Sequence, residues 1–289
     1  MTLVELRSRF HQRLCKEVIR LTKGTNGDDE IQYPNFADKG NRASIQIAKA
    51  IVERLGCKLG SETIAGQRKG GRFEEIVKDF LEESFAELSH LRPGAWRYST
   101  QLPISLFDQY EHLAPIDRIV KASEELTSAL GQDYIITPDI LIGRVPVSDD
   151  EINRDAKLVS SSDSIAKHTP LRASNNGDSR VILHASISCK WTLRSDRAQN
   201  ARTEAQNLIR NRKGKLPHVV CVTAEPLPTR VASLALGTGD LDCVYNFALP
   251  ELQAALNELS NEDQLDMLNV LVEGRRLRDI SDLPFDLAA

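Results

Sequence analysis

Apolar residues recur at steps of three and four along the first part of the chain. One such set runs through the N-terminus and consists of Leu3, Leu6, Phe10, Leu14 and Val18. A second set, within residues 72–88, consists of Phe73, Ile76, Val77, Phe80, Leu81 and Phe85. This spacing places each set on one face of an α-helix. It predicts two amphipathic helices that pack on a core, and a similar pattern predicts a helix over residues 44–55.

Polar segments that contain glycine separate these helices. Residues 23–41 and 60–71 have this composition and are predicted as loops. Residues 105–130 have a helical pattern, whereas residues 147–180 are polar and rich in Ser, Asp and Asn. The latter segment is predicted as a long surface loop, and a loop of that length inside a compact domain more often has a function than not.

Short apolar or alternating runs predict the strands. They are WRYSTQL at 96–102, DYIITPDILIG at 133–143, VILHASISCKW at 181–191, HVVCVTAEP at 218–226 and DCVYNFAL at 242–249. Pro138 is expected inside the second run or at its edge, since proline cannot donate to a strand ladder. A helix is predicted over residues 197–214, and the C-terminus is predicted to be helical to about Gly274.

Strands that alternate with helical patterns in the second half favour an α/β fold, with a central mixed β-sheet flanked by helices. The chain has no internal repeat and no domain-length linker. Residues 1–289 are therefore predicted to form a single domain.

The net charge of −4 excludes a general polyanion binder. Any nucleic-acid surface must then be a local basic patch on an acidic body. The N-terminal segment mixes charged and apolar residues, so neither a signal peptide nor a membrane span is expected, and the predicted location is the cytoplasm. The five cysteines include no CxxC pair. They are expected to be reduced and mostly buried rather than a zinc site or a disulfide framework.

A lysine interrupts the apolar strand predicted at 181–191. With a period of two, Ile187, Cys189 and Trp191 share one face of this strand, and Ser186, Ser188 and Lys190 share the other. In the strand predicted at 133–143, Asp139 lies on the face opposite Pro138 and Ile140. A carboxylate and an ammonium on neighbouring central strands are costly to bury alone, but they suit a metal-assisted phosphodiester site.

Glu204, on the helix that follows the lysine strand, is the third candidate. In this interpretation Asp139 ligates Mg²⁺ and Glu204 supplies a second acid. Lys190 orients the attacking water and offsets charge on the phosphate. The structural alternative is that Asp139 is a turn residue after proline and that Lys190 is a solvated edge lysine.

Two arginines and an aspartate precede or open the same helix, in the stretch LRSDRAQ. Arg194 and Arg197 suit bidentate contacts to guanine O6 and N7, and Asp196 can accept from cytosine N4. Asp196 followed by Gln199 is also a capping-box pattern, so the aspartate could instead cap the helix.

The candidate site residues resemble a known superfamily. The motifs PD at 138–139, SCK at 188–190 and Glu204 are similar to a variant of the PD-(D/E)XK nucleases. In that variant the acid two residues before the lysine is replaced, and an acid on the next helix serves instead. Longer stretches, among them LHASISCKWTLRSDRAQNAR and ALGTGDLDCVY, resemble NgoMIV-type Type II restriction endonucleases of the CCGG-reading group. The resemblance covers nearly the whole chain and implies the restriction-endonuclease-like core.

This resemblance implies an activity and an assembly. The family acts as homotetramers on two copies of duplex 5′-GCCGGC, cuts after the first G with Mg²⁺ as cofactor, and leaves four-base 5′ overhangs. The setting would be the bacterial cytoplasm, with a cognate DNA methyltransferase acting on the same site. Palindromic DNA by itself predicts at least a dimer.

The resemblance also implies roles for individual residues. The residues implied to be catalytic are Asp139, Lys190, Glu204, Ser188 and Glu74. The implied metal ligands are Asp139, Glu204 and the main-chain carbonyl of Cys189. The residues implied to bind DNA are Arg194, Asp196 and Arg197 for the inner CCGG, and Gln67 for the outer pair. Gly40 departs from the family pattern, which has a serine there, and the 147–180 loop also differs. These departures bear on the outer base pair.

Three alternatives remain at this point, and the first is a related endonuclease with a different CCGG-containing site. A PD-(D/E)XK repair or junction nuclease would recognise DNA structure, mainly through phosphate contacts, and the RSDR cluster disfavours it. A non-catalytic DNA-binding protein on the same scaffold would have no physical need for Asp139, Lys190 and Glu204 together.

Overall fold

A computed structural model describes residues 1–26, 29–59, 66–130, 136–173, 179–193, 195–237 and 239–289, with backbone alone at 25, 26, 29, 30, 66–68, 127, 129, 130 and 195–198. The helices are α1 (Leu3–Glu17), α2 (Arg42–Arg54), α3 (Gly66–Glu87), α4 (Ala114–Ala122), α5 (Glu124–Leu130), α6 (Asp149–Ile152), α7 (Ser195–Asn211), α8 (Pro228–Ala235), α9 (Leu249–Leu259), α10 (Glu262–Glu273) and α11 (Leu283–Ala288). Two short 3₁₀ turns, Ile104–Leu106 and Asp108–Leu113, precede α4.

The strands are β1 (Leu21–Asn26), β2 (Asp29–Pro34), β3 (Trp96–Thr100), β4 (Ile140–Arg144), β5 (Ile182–Lys190), β6 (His218–Thr223), β7 (Cys243–Asn246) and β8 (Leu277–Asp279). Within the described residues, β3 to β8 form one sheet in chain order. The β3–β4 and β4–β5 pairs are antiparallel, and the pairs from β5 to β8 are parallel. This mixed sheet, with helices on its faces, confirms the predicted fold class.

The two faces of β5 point to different helices. The Trp191 ring, just beyond the strand, lies 5.0 Å from the Phe73 ring of α3. On the other face, the hydroxyl of Ser188 donates to Glu204 of α7 at 3.3 Å. The predicted alternation of apolar and polar side chains therefore separates a packing face from the face that meets α7.

The predicted N-terminal helices are confirmed, and their apolar faces are buried. The buried residues include Leu6, Phe10, Leu14, Phe73, Ile76, Val77, Phe80, Leu81 and Phe85. The side chain of Thr2 accepts from the Glu5 amide, and the Glu5 side chain accepts from Thr2 in return, so a capping box fixes the start of α1. Packing and capping together explain why this segment is helical.

Several boundaries differ from the predictions. The segment predicted as the loop 23–41 contains the antiparallel β1–β2 pair, whose polar and glycine-rich composition hid it. Helix α3 begins at Gly66, inside the predicted loop 60–71. Strand β4 begins at Ile140, so Pro138 and Asp139 precede it. Proline has no amide hydrogen to donate to a strand ladder, which favours a position outside the strand. The short elements β8 and α11, beyond Gly274, were not predicted.

The prediction of reduced cysteines is wrong for one pair. Cys15 of α1 and Cys57, which follows α2, form a disulfide with their Cα atoms 5.2 Å apart. Their separation of 42 residues gives no sequence signal, since only the tertiary fold brings the two together. Cys189, Cys221 and Cys243 are free and buried, as predicted.

The buried apolar side chains of the described residues form a continuous core that includes the sheet, α1 to α3 and the C-terminal helices. In the same ranges, no helix is both long and apolar enough to cross a membrane.

Candidate active site

The site begins where β4 and β5 meet. Ile140, the first residue of β4, pairs with Ile187 of the antiparallel β5, which brings the preceding Asp139 beside the end of β5. One carboxylate oxygen of Asp139 accepts from the amide of Cys189 at 2.7 Å and from Nζ of Lys190 at 3.1 Å. Asp139 is therefore held against the end of β5 rather than turned to solvent, which disfavours its interpretation as a turn residue alone.

Glu204 joins this pair from α7. Ala201, Ala205 and Leu208 are buried and hold α7 against the core. The Ser188 hydroxyl donates to Oε2 of Glu204 at 3.3 Å, and Nζ of Lys190 lies 3.9 Å from Oε1. The packing of this helix therefore places the second acid on the same side of β5 as Lys190.

Lys190 is the charged centre of the group, and 15% of its side chain is exposed. Burial by itself would lower its pKa, but the carboxylates of Asp139 and Glu204 outweigh burial and raise the pKa above the usual range. The side chain is therefore an ammonium at neutral pH in this state, and not a solvated edge lysine.

Glu74 approaches from α3. Its side chain is buried, and the Gln101 amide donates to it at 3.3 Å. Burial, together with the nearby charge of Asp139, raises the pKa of Glu74. The residue that only the family resemblance indicated therefore shares an electrostatic environment with Asp139.

These residues line a single cavity of about 370 Å³. Its walls include the predicted residues Glu74, Asp139, Cys189, Lys190 and Glu204, and residues that the sequence did not single out, namely Asp38, Lys69, Asn200 and Arg230. Arg230 pairs with Asp38 across the cavity wall. Lys69 and Arg230 lie on separate helices and belong to no sequence motif, so only the fold shows that they reach this cavity.

The oxygen donors fit a hard divalent cation. Among the described residues, no three His, Cys, Asp or Glu side chains are grouped to hold a metal ion by themselves. Mg²⁺ commonly takes only one or two carboxylates and completes its shell with waters and substrate phosphate. Asp139 and Glu204, on either side of Lys190, and the backbone of Cys189 can supply such a set.

The predicted base-reading residues lie outside the described side chains. Arg194 is not described at all, and the side chains of Asp196, Arg197 and Gln67 are likewise outside the description. The backbone places Asp196 and Arg197 in the first turn of α7, a few residues along the chain from the cavity-lining Trp191 and Thr192.

Comparisons with known proteins identify the family. Residues 10–289 match the family model described as NgoMIV restriction enzyme. The chain is 50% identical over 284 residues to the Type II restriction enzyme NgoMIV of Neisseria gonorrhoeae, with 96% of both chains covered.

Two solved structures give much weaker similarity. A complex of the restriction endonuclease PspGI with substrate DNA has a TM-score of 0.36 at 16% identity and covers 99% of this chain and 92% of its own. The Bse634I restriction endonuclease has a TM-score of 0.31 at 14% identity and covers 83% and 97%. The assignment rests on the match in sequence over almost the full length, which includes every residue of the cavity: this chain belongs to the NgoMIV family of Type II restriction endonucleases.

Proposed function

We propose that this enzyme hydrolyses duplex DNA at 5′-GCCGGC, cutting after the first G with Mg²⁺ and leaving a four-base 5′ overhang. The observation that carries the proposal is the convergence of Asp139, Lys190 and Glu204 on one cavity from three separate elements. The 50% identity to a Type II restriction enzyme supports it.

Asp139, Glu204 and the main-chain carbonyl of Cys189 would hold the Mg²⁺. A bound Mg²⁺ would polarise the phosphate and favour ionisation of a water. The amide of Cys189 orients Asp139, and Ser188 orients Glu204, so the strand sets the positions of both acids. Hydrogen bonds of this kind to metal-binding carboxylates fix the ligands before the metal arrives.

Lys190 supplies positive charge next to both acids. Because its pKa is raised, it acts as a cation that attracts the scissile phosphate and orients the attacking water, and not as a resting base. Glu74 places a further carboxyl group near Asp139, and burial together with the charge of Asp139 raises its pKa.

Base reading is assigned to Arg194, Asp196 and Arg197 for the inner CCGG, and to Gln67 for the outer pair. Arginine reads guanine through O6 and N7, and a carboxylate accepts from cytosine N4. Support comes from the position of α7, which begins at Ser195 beside the cavity and carries Glu204 two turns later.

We extend the proposal to the assembly and its setting. A palindromic site calls for at least two copies of the chain, and the family resemblance favours a homotetramer that binds two DNA duplexes. Residues 1–289 act as one domain in this proposal, which the continuous core supports. The enzyme works in the bacterial cytoplasm, where a methyltransferase must protect the same sequence in host DNA.

A cleavage assay with sequenced ends tests this proposal. Plasmids that carry GCCGGC, or other NCCGGN sites, are incubated with enzyme and Mg²⁺. We expect cutting only at GCCGGC, after the first G. Cutting at other CCGG sites would overturn the outer-base assignment, and cutting directed by branched structure would indicate a junction nuclease. Folded protein that binds DNA and cuts neither plasmid would indicate a non-catalytic binder.

A further inference from the structure

One buried carboxylate near the cavity takes no part in the proposed chemistry. Glu225, which follows β6, is 1% exposed. Its Oε2 accepts from the amide of Leu193 at 2.9 Å, and its Oε1 accepts from the amide of Leu227 at 3.3 Å. The carboxylate therefore joins two connections, the one between β5 and α7 and the one between β6 and α8.

A second set of contacts ties the same segment to the end of the catalytic strand. The hydroxyl of Thr223 donates to the carbonyl of Lys190 at 2.7 Å and accepts from the amide of Glu225 at 3.1 Å. The side-chain amide of Asn246 donates to the carbonyl of Glu225 at 3.3 Å. The backbone of Glu225 is thus fixed relative to Lys190, and its side chain reaches forward to Leu193.

Leu193 lies in the short connection between β5 and α7. It is the residue before Arg194 and lies two positions before the start of α7. Lys190 and Glu204, on either side of this connection, both line the cavity. A shift of the Leu193 amide would therefore move the entrance of α7 relative to the catalytic strand.

The buried charge is only partly offset. Arg230 lies 3.9 Å from Oε1 of Glu225 and pairs with Asp38. Burial raises the pKa of Glu225 to about 7, although the two amides and Arg230 act in the opposite direction. A neutral or apolar residue would cost less at a purely structural position, because burying a carboxylate is expensive. The contact to Leu193 supplies a reason for the acid.

We propose that Glu225 is a positioning residue for DNA discrimination, which holds the entrance of α7 in register with Lys190 through the amide of Leu193. The proposal rests on the proposed function, since it takes the entrance of α7 as the base-reading segment. Glu225 touches neither the metal ligands nor the reacting atoms, and it acts through the backbone.

The test compares Glu225→Gln and Glu225→Ala with a matched control, Asp279→Asn. Asp279 is also buried, accepts from the amides of Leu249 and Ser281 at 3.1 and 3.0 Å, and pairs with Arg7, far along the chain from α7. The readout is discrimination, defined as the ratio of kcat/KM on a GCCGGC duplex to that on duplexes with one changed inner pair, with a melting curve for each variant.

We expect Glu225→Ala to lower this ratio about ten- to hundredfold, the range for loss of a hydrogen bond to a charged group. Glu225→Gln, which keeps one acceptor oxygen and the side-chain shape, should retain part of the ratio. Asp279→Asn should lower the melting temperature and leave the ratio unchanged. If Glu225→Ala fails to fold, the comparison of Glu225→Gln with Asp279→Asn decides the matter.

The proposal is overturned if folded Glu225 variants discriminate like the wild type, or if Asp279→Asn loses discrimination equally. Failure of the proposed function is visible separately in the wild type. If the wild type cuts a different duplex, that duplex serves as the reference. If it cuts none, the proposed function fails, and the same ratio is measured from binding constants.

Discussion

Two partly buried charge clusters of this molecule are similar in composition and opposite in character. The cleft cluster consists of Glu74, Asp139, Lys190 and Glu204. The terminal cluster consists of Arg7 of α1, Glu251 of α9 and Asp279 of β8. Each gathers carboxylates around one cation from parts of the chain that are distant in sequence, so their differences show what each arrangement is for.

The terminal cluster satisfies its own charges. Arg7 makes two hydrogen bonds to Asp279, both at 2.9 Å, and two to Glu251, at 2.9 and 2.7 Å. Burial alone would raise the pKa of Asp279 and of Glu251, but the bonds from Arg7 lower both below the usual range. Bidentate pairing of this kind is the strong form of the ion pair, and it connects α1 to the C-terminal elements.

The cleft cluster is bonded in a looser way. A single Nζ atom of Lys190 lies 3.1 Å from Asp139 and 3.9 Å from Glu204. Glu74 has the neutral amide of Gln101 as a hydrogen-bond donor, and its pKa is raised instead of lowered. The carboxylates concentrate negative charge beside a cavity. This charge destabilises the protein when no cation is bound, and it favours the binding of a cation. The pairing of charge therefore distinguishes the structural terminal cluster from the cleft cluster, for which we propose a function.

We expect a change at Asp139 to reduce cleavage more than any other substitution considered below. Asp139→Ala should reduce the rate at GCCGGC by at least about a thousandfold, because the carboxylate is a proposed metal ligand and a partner of Lys190. Binding to the same duplex should remain measurable in a gel-shift assay. Cleavage by this variant would show that Asp139 is not a metal ligand. The proposed difference between the two clusters would then be wrong.

The next effect concerns stability. Arg7→Met should lower the free energy of unfolding by about 3 kcal/mol, since it leaves the buried carboxylate of Asp279 and the partly buried carboxylate of Glu251 without their cation. Denaturant unfolding measures this, and cleavage per folded molecule should equal that of the wild type. Normal stability together with lost cleavage would show that the terminal cluster has a function beyond structure.

A pair of serines gives the smallest and most closely matched test. Ser188 donates to Glu204 at 3.3 Å in the cleft, and Ser281 donates to Asp279 at 2.6 Å in the terminal cluster. Ser188→Ala should raise the Mg²⁺ concentration for half-maximal cleavage about tenfold. Ser281→Ala should instead cost about 1.5 kcal/mol of stability with no change in the Mg²⁺ requirement. The reverse pattern would contradict the assignment of both clusters.

The sequence predicts one cluster much better than the other. Lys190 interrupts one apolar strand, and Asp139 follows a proline in the apolar run of a second strand. The alternation of apolar and polar positions alone therefore indicates both residues. Glu204 follows from its place on the helix after the lysine strand, whereas Glu74 needed the family resemblance. Arg7 is different, because it looks like an ordinary solvated position on α1, and its partners lie 244 and 272 residues away. No local sequence pattern predicts an ion pair between residues so far apart in the chain.

The same limit explains the other misses. Glu225 lies one residue before the end of a predicted strand run, and its proposed role depends on Leu193, 32 residues earlier. The Cys15–Cys57 disulfide depends on two helices meeting in space. The polar β1–β2 pair lacks the apolar alternation that marks a half-buried strand. By contrast, the helices with a strong apolar face and the central strands follow directly from burial periodicity, which is a property of the local sequence.

We propose that the cleft cluster, and not the terminal cluster, binds a divalent cation. Electron paramagnetic resonance counts bound Mn²⁺ in the presence of a GCCGGC duplex with a non-cleavable linkage at the scissile position. We predict that the wild type and Asp279→Asn bind Mn²⁺ with equal affinity and that Asp139→Asn binds it at least about tenfold more weakly. Equal Mn²⁺ binding by Asp139→Asn and the wild type would contradict the assignment of the cation to the cleft cluster.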